Sequence, residues 1–289
     1  MPELPEVETV KRGLEPVLIG RRIERVETRR AGLRFPFPKD FDQRLSGAQV
    51  QALSRRAKYI LVDLDNGFSL IVHLGMTGRF TVLSPKGVDN LGAFYFEAGA
   101  IGGAEGPHDH VMITLEDGIR LVYSDPRRFG MMDVVETRQL GRHRLLKNIG
   151  VEPLGNELSA AYLAQKFKGK AAPMKAALLD QRIIAGLGNI YVCETLFRAR
   201  VSPKRKAGNV RLDKLEELVR HIRDILSEAI LAGGSTLQDF QATDGTKGEY
   251  QQRFHVYDRE GEPCSTCTKP IKRLVQSGRS SFYCVFCQK

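Results

Sequence analysis

The stretch Pro2-Glu-Leu-Pro-Glu-Val-Glu-Thr9 follows Met1 and indicates the start of a helix. Pro5 suits the first helical turn, because the backbone there needs no N–H donor. Apolar residues then recur at helical spacing and predict one buried face, formed by Val7, Val10, Leu14 and Val17. A frayed terminus that merely contains a helix-starting proline is the alternative, since chain ends are often poorly ordered.

The same stretch offers a reactive group if Met1 is removed, because Pro2 then carries a secondary amine at the chain terminus. An α-amino group has a pKa of about 7.7–8.0, so part of it is unprotonated and nucleophilic near neutral pH. Attack on a sugar C1′ would give a cationic iminium, which cannot relax to a neutral imine and is a strong electron sink. Glu3 lies next to the amine as a candidate general acid.

Four cysteines near the other end have the spacing of a zinc ribbon. Cys264 and Cys267 form one pair, Cys284 and Cys287 form the second, and 16 residues separate the pairs. Each pair can present two thiolates to one tetrahedral ion. Two disulfides are the alternative, but no signal peptide is evident at the N-terminus, and a reducing compartment favours zinc.

The segment between the cysteine pairs predicts a β-hairpin, with an apolar run at 271–275, a Ser277-Gly278 turn and the pair Phe282-Tyr283. About thirty residues bury too little core to fold alone, so bound metal would supply the folding energy. The fifth cysteine, Cys193, lies in an apolar helical pattern and is predicted to be a small buried hydrophobe.

The charge of the chain points to a polyanionic partner. Its 44 Lys and Arg residues exceed its 34 Asp and Glu residues, which gives a net charge of +10. We expect nucleic acid and no membrane association, because no run of about 20 apolar residues occurs. With 289 residues, of which 42% are hydrophobic, the chain can form about two domains.

The hydrophobic pattern changes near the middle of the chain. Short β-rich runs separated by turns predict a β-sandwich with strands at 59–64, 68–74, 94–96, 111–115, 120–123 and 131–135. A helical period then predicts helices at 158–167, 174–179 and 190–197. A longer helix that ends at Gly233-Gly234 follows, and its predicted apolar face contains Leu212, Leu215, Val219, Ile222, Leu226 and Ile230. Residues 84–107 are predicted to be a surface insertion and 241–251 a mobile loop.

Several separated motifs match one family: the opening stretch, His73-Leu-Gly-Met-Thr-Gly78, Asp125-Pro-Arg-Arg-Phe-Gly130, Gly186-Leu-Gly-Asn-Ile-Tyr191, and the ribbon containing Gly278-Arg-Ser-Ser-Phe-Tyr-Cys284. The chain closely resembles bacterial formamidopyrimidine-DNA glycosylases over nearly its full length. The resemblance implies an α+β fold with a helix-two-turn-helix domain. The implied domains are an N-terminal catalytic β-sandwich with its helix at 1–135, a linker at 136–152, the DNA-binding helical domain at 153–260 and a zinc finger at 261–289.

The resemblance also implies a bifunctional activity: removal of oxidised purines, such as 8-oxoguanine and formamidopyrimidines, followed by β,δ-elimination at the abasic site. Pro2 would be the Schiff-base nucleophile and Glu3 would assist loss of the base. Lys58 would serve elimination as well as phosphate binding. Arg279, in the hairpin folded by one structural Zn²⁺, would hold phosphates and assist the second elimination. We expect a monomer in the bacterial cytoplasm, associated with the nucleoid.

The remaining implied residues contact double-stranded DNA. Extruding a base leaves a gap in the stack, which Met76, Arg127 and Phe129 would fill. Without the resemblance, Met76 and Phe129 suit an ordinary core, and the two arginines after Asp-Pro suit a solvated turn. The other candidate contacts are His108, Arg128, Lys170, Lys175 and Asn189.

Two other functions stay open. A structurally related endonuclease VIII-like enzyme would act on oxidised pyrimidines, but Leu4 and the complete opening stretch favour the purine enzyme. A non-catalytic zinc protein that binds DNA would result if Met1 were retained, because the amine of Pro2 would then be blocked.

Overall fold

The computed structural model describes residues 2–84, 87–91, 106–235 and 249–289. The chain forms two compact units. Unit 1 contains residues 1–147 and 232–249, and unit 2 contains residues 148–231 and 250–289. The chain therefore passes from one unit to the other three times. The domain boundaries stated above stay predictions.

Unit 1 begins with helix α1, Leu4–Leu18. Pro5 stands in its first turn, and the backbone N–H of Glu3, just before the helix, donates to Glu6 Oε2 at 2.8 Å. The buried face contains Val7, Val10 and Leu14 as predicted, but Leu18 rather than the half-buried Val17 completes it. Helix α1 packs against the second and third strands of the unit.

Two antiparallel sheets follow. The strands are β1 Ile23–Thr28, β2 Val50–Arg56, β3 Tyr59–Leu64, β4 Phe68–His73, β5 Arg79–Ser84, β6 Gly87–Leu91, β7 Asp109–Leu115, β8 Arg120–Ser124 and β9 Met131–Glu136, with a short helix α2, Phe41–Leu45, between β1 and β2. One sheet has the order β1-β7-β8-β5-β6 and the other has the order β2-β3-β4-β9. Side chains of both sheets and of α1 form one apolar core, which confirms the predicted β-sandwich.

The register of the four-stranded sheet aligns three strand ends. Tyr59, the first residue of β3, pairs with His73, the last residue of β4. His73 also pairs with Met131, the first residue of β9. The turn before β3, the turn after β4 and the turn before β9 therefore lie at the same end of this sheet.

Unit 2 is mainly helical. Its helices are α3 Ala160–Phe167, α4 Met174–Leu179, α5 Asn189–Arg198 and α6 Leu212–Leu231. Ser159 caps α3 by accepting the N–H of Tyr162 at 3.1 Å. Both Gly233 and Gly234, just beyond α6, have a positive φ, at 73° and 86°.

The last segment is the predicted hairpin, formed by β10 Lys272–Gln276 and β11 Arg279–Tyr283. Ser277 and Gly278 connect the strands with φ of 49° and 72°, which is typical of a two-residue type I′ turn. The hairpin does not fold around the cysteines alone. Ile271, Phe282, Cys264 and Cys284 share a core cluster with Cys193 and Phe197 of α5, so the predicted burial of Cys193 is confirmed.

Several predicted details were wrong or incomplete. On the predicted apolar face of α6, Leu212 is 52% exposed, while Leu218, Ile225 and Ala229 are buried. Within the predicted insertion at 84–107, residues 87–91 form the edge strand β6. The predicted strand at 94–96 and most of the predicted loop at 241–251 lie outside the described residues. No helix in the described part of the chain combines the length and apolarity that crossing a bilayer requires.

Candidate functional site

The first residues of the chain are held by buried hydrogen bonds. Pro2 and Glu3 are buried, and so is Glu6, which is 2% exposed. Besides binding Glu3, the Glu6 carboxylate accepts the backbone N–H of Ser235 at 2.7 Å and its hydroxyl at 3.0 Å, both through Oε1. The alternative of a frayed terminus is therefore wrong for residues 2–6.

Lys58 lies in the tight turn between β2 and β3, where the preceding Ala57 has a φ of 53°. Arg55 fixes this turn from β2: its Nε binds Glu8 of α1 at 3.0 Å and its Nη1 donates to the carbonyl of Ala57 at 2.9 Å. The turn thus lies beside the first turns of α1. Lys58 itself is buried, with only 6% of its surface exposed.

His73 lies at the same end of the sheet and is neutral near pH 7. Burial, followed by the charges of Lys58 and Arg34, lowers its pKa to about 4. Its Nδ1 accepts the backbone N–H of Gly75 at 3.0 Å, so the proton of the neutral ring is assigned to Nε2. His73 is the first residue of the 73–78 motif, but no role was predicted for it. Its position directly before the glycine turn was the available signal.

The two turns that carry the gap-filling candidates meet at this end of the sheet. Met76 is half-buried in the turn after β4. Arg127, Arg128 and Phe129 are all exposed in the turn before β9, and Phe129 is 41% exposed. The Arg127 guanidinium lies over the Phe129 ring, 4.9 Å from its centroid. Phe129 is therefore not the ordinary core residue that its type suggests.

His108 is exposed directly before β7. Its carbonyl accepts the N–H of Asp125 at 3.0 Å, which places it beside the turn that contains Arg127. The structure thus brings Lys58, Met76, His108 and the 127–129 turn to one end of unit 1.

Unit 2 brings Asn189 and Arg279 close together. Asn189 is the first residue of α5, and its Nδ2 donates to the carbonyl of Ser280 at 3.0 Å. Arg279, the residue before Ser280, is exposed at the start of β11. Asn189 Oδ1 is buried and accepts no hydrogen bond from the described residues, so an acceptor remains available beside the hairpin.

Lys175 does not lie where a phosphate contact was expected. It is fully buried, and its Nζ donates to the carbonyl of Ser280 at 2.6 Å and to the hydroxyl of Ser281 at 2.7 Å. The structure therefore assigns it to holding β11 against the helices, because exposing the ammonium to a phosphate would break both bonds. Lys170, by contrast, is half-exposed after α3.

The four C-terminal cysteines form a cluster that could hold one metal ion. Their Sγ atoms all lie within 4.8 Å of one another. Two of the separations are 3.4 Å, between Cys267 and Cys284, and 3.9 Å, between Cys264 and Cys287. A tetrahedral thiolate site with metal–sulfur bonds of about 2.3 Å needs separations of about 3.8 Å, whereas a disulfide bond measures about 2.05 Å. All four cysteines are free thiols, so the disulfide alternative is wrong.

The electrostatics of the cluster also favour a cation. Burial, followed by hydrogen bonds from the other three cysteines, raises the pKa of Cys287 to about 12. A metal dication offsets this cost, because it stabilises the thiolate form directly.

Comparisons with known proteins decide the family. The protein-family model for the formamidopyrimidine-DNA glycosylase N-terminal domain matches residues 1–132. The family model for the formamidopyrimidine-DNA glycosylase H2TH domain matches residues 149–241. The formamidopyrimidine-DNA glycosylase of Methylobacterium nodulans is 53% identical over 297 residues, covering 100% of this chain and 99% of that protein. The chain belongs to the formamidopyrimidine-DNA glycosylase family.

Solved structures of such glycosylases have the same fold. The Lactococcus lactis Fpg in complex with abasic-site DNA is 31% identical, with a TM-score of 0.86 and 99% of each chain covered. The wild-type Lactococcus lactis Fpg bound to DNA containing N7-benzyl-Fapy-dG gives the same identity and TM-score over 100% of both chains. MutM in complex with DNA containing carbocyclic 8-oxo-G is 32% identical, with a TM-score of 0.86 over 100% of both chains. The α+β architecture predicted for a glycosylase of this family is therefore confirmed.

Proposed function

We propose that the protein is a bifunctional glycosylase and lyase of base excision repair that removes oxidised purines from double-stranded DNA and then cleaves the strand at the abasic site. Membership of the family supports the activity, and the lesions bound by the solved glycosylases support the substrate class. The observation that carries the mechanism is the buried and hydrogen-bonded start of α1, which gives Pro2 and Glu3 fixed positions.

In this proposal Met1 is removed and the amine of Pro2 attacks C1′ of the damaged nucleotide. The new bond from nitrogen to C1′ forms as the bond from C1′ to the base breaks, and Glu3 supplies a proton that assists departure of the base. The sugar ring then opens: the C1′–O4′ bond breaks, the proton released by the attacking amine goes to O4′, and the nitrogen lone pair forms the C1′=N⁺ bond of the iminium. The iminium draws electrons from C2′, so loss of a C2′ proton can eliminate the 3′ phosphate. Lys58, buried in the turn beside α1, is the candidate for proton transfer and phosphate binding in these eliminations.

We infer that the turn after β4 and the turn before β9 together replace the everted base. Phe129 supplies an aromatic face and Met76 an apolar side chain that can occupy the gap, while Arg127 offers donors to the base left without its partner. His108, Arg128 and Lys170 are proposed as further DNA contacts, because all three present polar groups to solvent.

The ion proposed for the cysteine cluster is zinc, because four thiolates at this spacing suit a tetrahedral d¹⁰ ion without redox chemistry. Cys264, Cys267, Cys284 and Cys287 would bind it and thereby fix the hairpin. Arg279 would then present its guanidinium to DNA phosphates, and the Asn189 amide beside Ser280 would contact a phosphate as well. We also propose that the protein acts as a monomer in the bacterial cytoplasm, consistent with its bacterial relatives.

Borohydride trapping tests the proposal directly. The protein is incubated with duplex DNA containing one 8-oxoguanine opposite cytosine, and borohydride reduces any iminium to a stable adduct. We expect a covalent complex with this duplex and none with the undamaged duplex of the same sequence. Intact mass establishes beforehand that Met1 is absent, because a retained Met1 would block the amine.

A duplex with one oxidised pyrimidine distinguishes the related activity. We expect slower trapping than with 8-oxoguanine. Faster trapping with the pyrimidine lesion would instead assign the endonuclease VIII-like specificity, and failure to trap any damaged duplex, with Pro2 at the terminus, would contradict the proposed function.

A further inference from the structure

Asp125 binds both gap-filling turns of unit 1. It is fully buried directly after β8. Its Oδ1 accepts the hydroxyl of Thr77, the residue after Met76, at 2.5 Å. Its Oδ2 accepts the backbone N–H of Gly130, the residue after Phe129, at 2.7 Å. One carboxylate therefore connects the turn after β4 to the turn before β9.

Thr77 completes the connection from its own side. While its hydroxyl hydrogen is donated to Asp125, its Oγ1 accepts the backbone N–H of Arg127 at 3.2 Å. The side chain of Thr77 thus contacts the second turn at two residues, Asp125 and Arg127. The backbones approach so closely that a Cβ added to Gly75 would collide with the backbone of Phe129 and Gly130. At this contact only glycine leaves enough space.

The surroundings of Asp125 make its two bonds hard to replace. The walls include fully buried Tyr123, whose pKa is raised well above its usual value by burial and then by the charge of Asp125. The buried Arg79 is also near Asp125. Burial lowers the pKa of Arg79, and the charges of Asp109 and Asp125 oppose this shift. In such surroundings a lost hydrogen bond is not readily replaced by water, so the two turns would separate or leave polar groups unsatisfied.

We propose that Asp125, acting through Thr77, is the positioning residue that fixes the Met76 turn and the Arg127-Phe129 turn as one rigid element, and thereby sets how efficiently a damaged base is everted. This assignment rests on the proposed function. If the turns were independent, ordering them would add its entropic cost to the eversion step. An abasic site has no base to evert, so its cleavage depends much less on this element.

Two matched pairs of variants test the assignment. Thr77→Val removes the hydroxyl at nearly constant shape, and Thr77→Ser restores it. The control pair lies near the opposite end of β4, where buried Ser69 donates to Asp63 at 2.6 Å. Ser69→Ala and Asp63→Asn are the chemical counterparts of Thr77→Val and Asp125→Asn. Single-turnover rates are measured for each protein on an 8-oxoguanine duplex and on the same duplex with a pre-formed abasic site, together with the Tm.

We expect Thr77→Val and Asp125→Asn to lower the ratio of the two rates by about tenfold, the effect of losing one hydrogen bond to a buried carboxylate on the eversion step. Thr77→Ser should restore the ratio, and both control variants should leave it unchanged even if their Tm falls. A 2-aminopurine placed beside the lesion should report slower eversion for Thr77→Val. The Thr77 variants keep the test decisive if Asp125→Asn does not fold.

An unchanged ratio in Thr77→Val, or an equal loss on both duplexes, would overturn the positioning role while leaving the proposed function in place. Inactivity of the unmodified protein on both duplexes would instead overturn the proposed function, and this assignment with it.

Discussion

Glu6 shows how one buried carboxylate can order the first residues of a chain. It binds the backbone before α1 and, through its other oxygen, Ser235, which lies 229 residues later in the chain. A carboxylate that accepts several N–H and O–H donors holds a fixed orientation, because rotation would break every bond at once. Glu3 therefore starts from a defined backbone position, and its chemistry can be tested by a substitution that keeps its shape.

Glu3→Gln is expected to suppress removal of 8-oxoguanine much more than cleavage of a pre-formed abasic site. Glutamine keeps the size of the side chain but cannot donate a carboxylic proton, which matters only while a base has to leave. Single-turnover rates on the two duplexes measure the effect, and Pro2→Gly is the companion variant, expected to weaken covalent trapping while DNA binding persists. Equal losses on the two substrates in Glu3→Gln would remove Glu3 from its assigned role.

His73 should make unit 1 less stable in acid. Its pKa is about 4 in the folded protein and about 6.5 when unfolded, so the unfolded chain binds the proton more tightly. The stability it contributes is complete above pH 6.5 and is lost as the pH falls towards 4, by about 2 kcal/mol at pH 5. His73→Asn keeps an acceptor for Gly75 and should flatten the decrease in unfolding free energy between pH 7.5 and pH 5. Urea unfolding at the two pH values measures this, and an unaltered decrease would show that His73 is not responsible.

Among the elements of unit 1, the turn before β9 exposes Phe129, a residue whose type alone suits a core. Phe129→Ala should slow processing of an 8-oxoguanine duplex by an amount corresponding to the few kcal/mol that unstacking requires, with a much smaller effect on abasic DNA. Because Phe129 is 41% exposed, the Tm should change little. Phe80→Ala is the contrasting variant: Phe80 is 4% exposed in the sandwich core, so its truncation should lower the Tm. A large fall in Tm for Phe129→Ala with unchanged activity would show that the ring serves packing.

Elements with an unbroken pattern were predictable from the sequence, and irregular ones were not. The bounds of β3 and α4 agree with the predicted 59–64 and 174–179. Strands β1 and β2 were missed, and both contain a register shift, at Ile23/Arg25 and at Val50/Ala52. Such a bulge interrupts the alternation of apolar and polar residues by which a strand is recognised.

The same limit applies to the site. Motifs predicted the residues at its surface, whereas the residues that support them have partners far away in the sequence. Lys175 resembled a surface cation because nothing nearby indicates that its ammonium binds Ser280 and Ser281, over 100 residues later. The role of Asp125 depends likewise on Thr77, 48 residues earlier. Only the fold brings these partners together.

The shared core of the hairpin and α5 changes the expected result of metal removal. Residues 261–289 were predicted to be a separate zinc finger. If they were separate, both larger domains would keep their stability without metal. Because the cysteines pack with Cys193 and Phe197, chelation should destabilise unit 2 and leave unit 1 nearly unchanged. Calorimetry with and without chelator should show one transition shifting and the other constant.

Two variants separate the metal from the chemistry it supports. Cys284→Ser should reproduce the effect of chelation and abolish specific DNA binding. Arg279→Ala should retain the metal and the Tm, but weaken binding and reduce its salt dependence by about one ion pair. Normal binding and incision by the metal-free protein would contradict a role for the hairpin in DNA recognition.

The path of the chain through the two units also affects the order of events during synthesis. Unit 1 contains residues 1–147 together with 232–249, and between these segments the ribosome makes most of unit 2. The sandwich can collapse early. The hydrogen bonds between Glu6 and Ser235 can form only after Ser235 has emerged from the exit tunnel, when more than four fifths of the chain has been made. In a truncated product that ends before Ser235, Glu6 would lack its hydrogen bonds to that residue. A prematurely released chain could therefore contain most of a folded sandwich and still lack the ordered start of α1 on which the proposed chemistry depends.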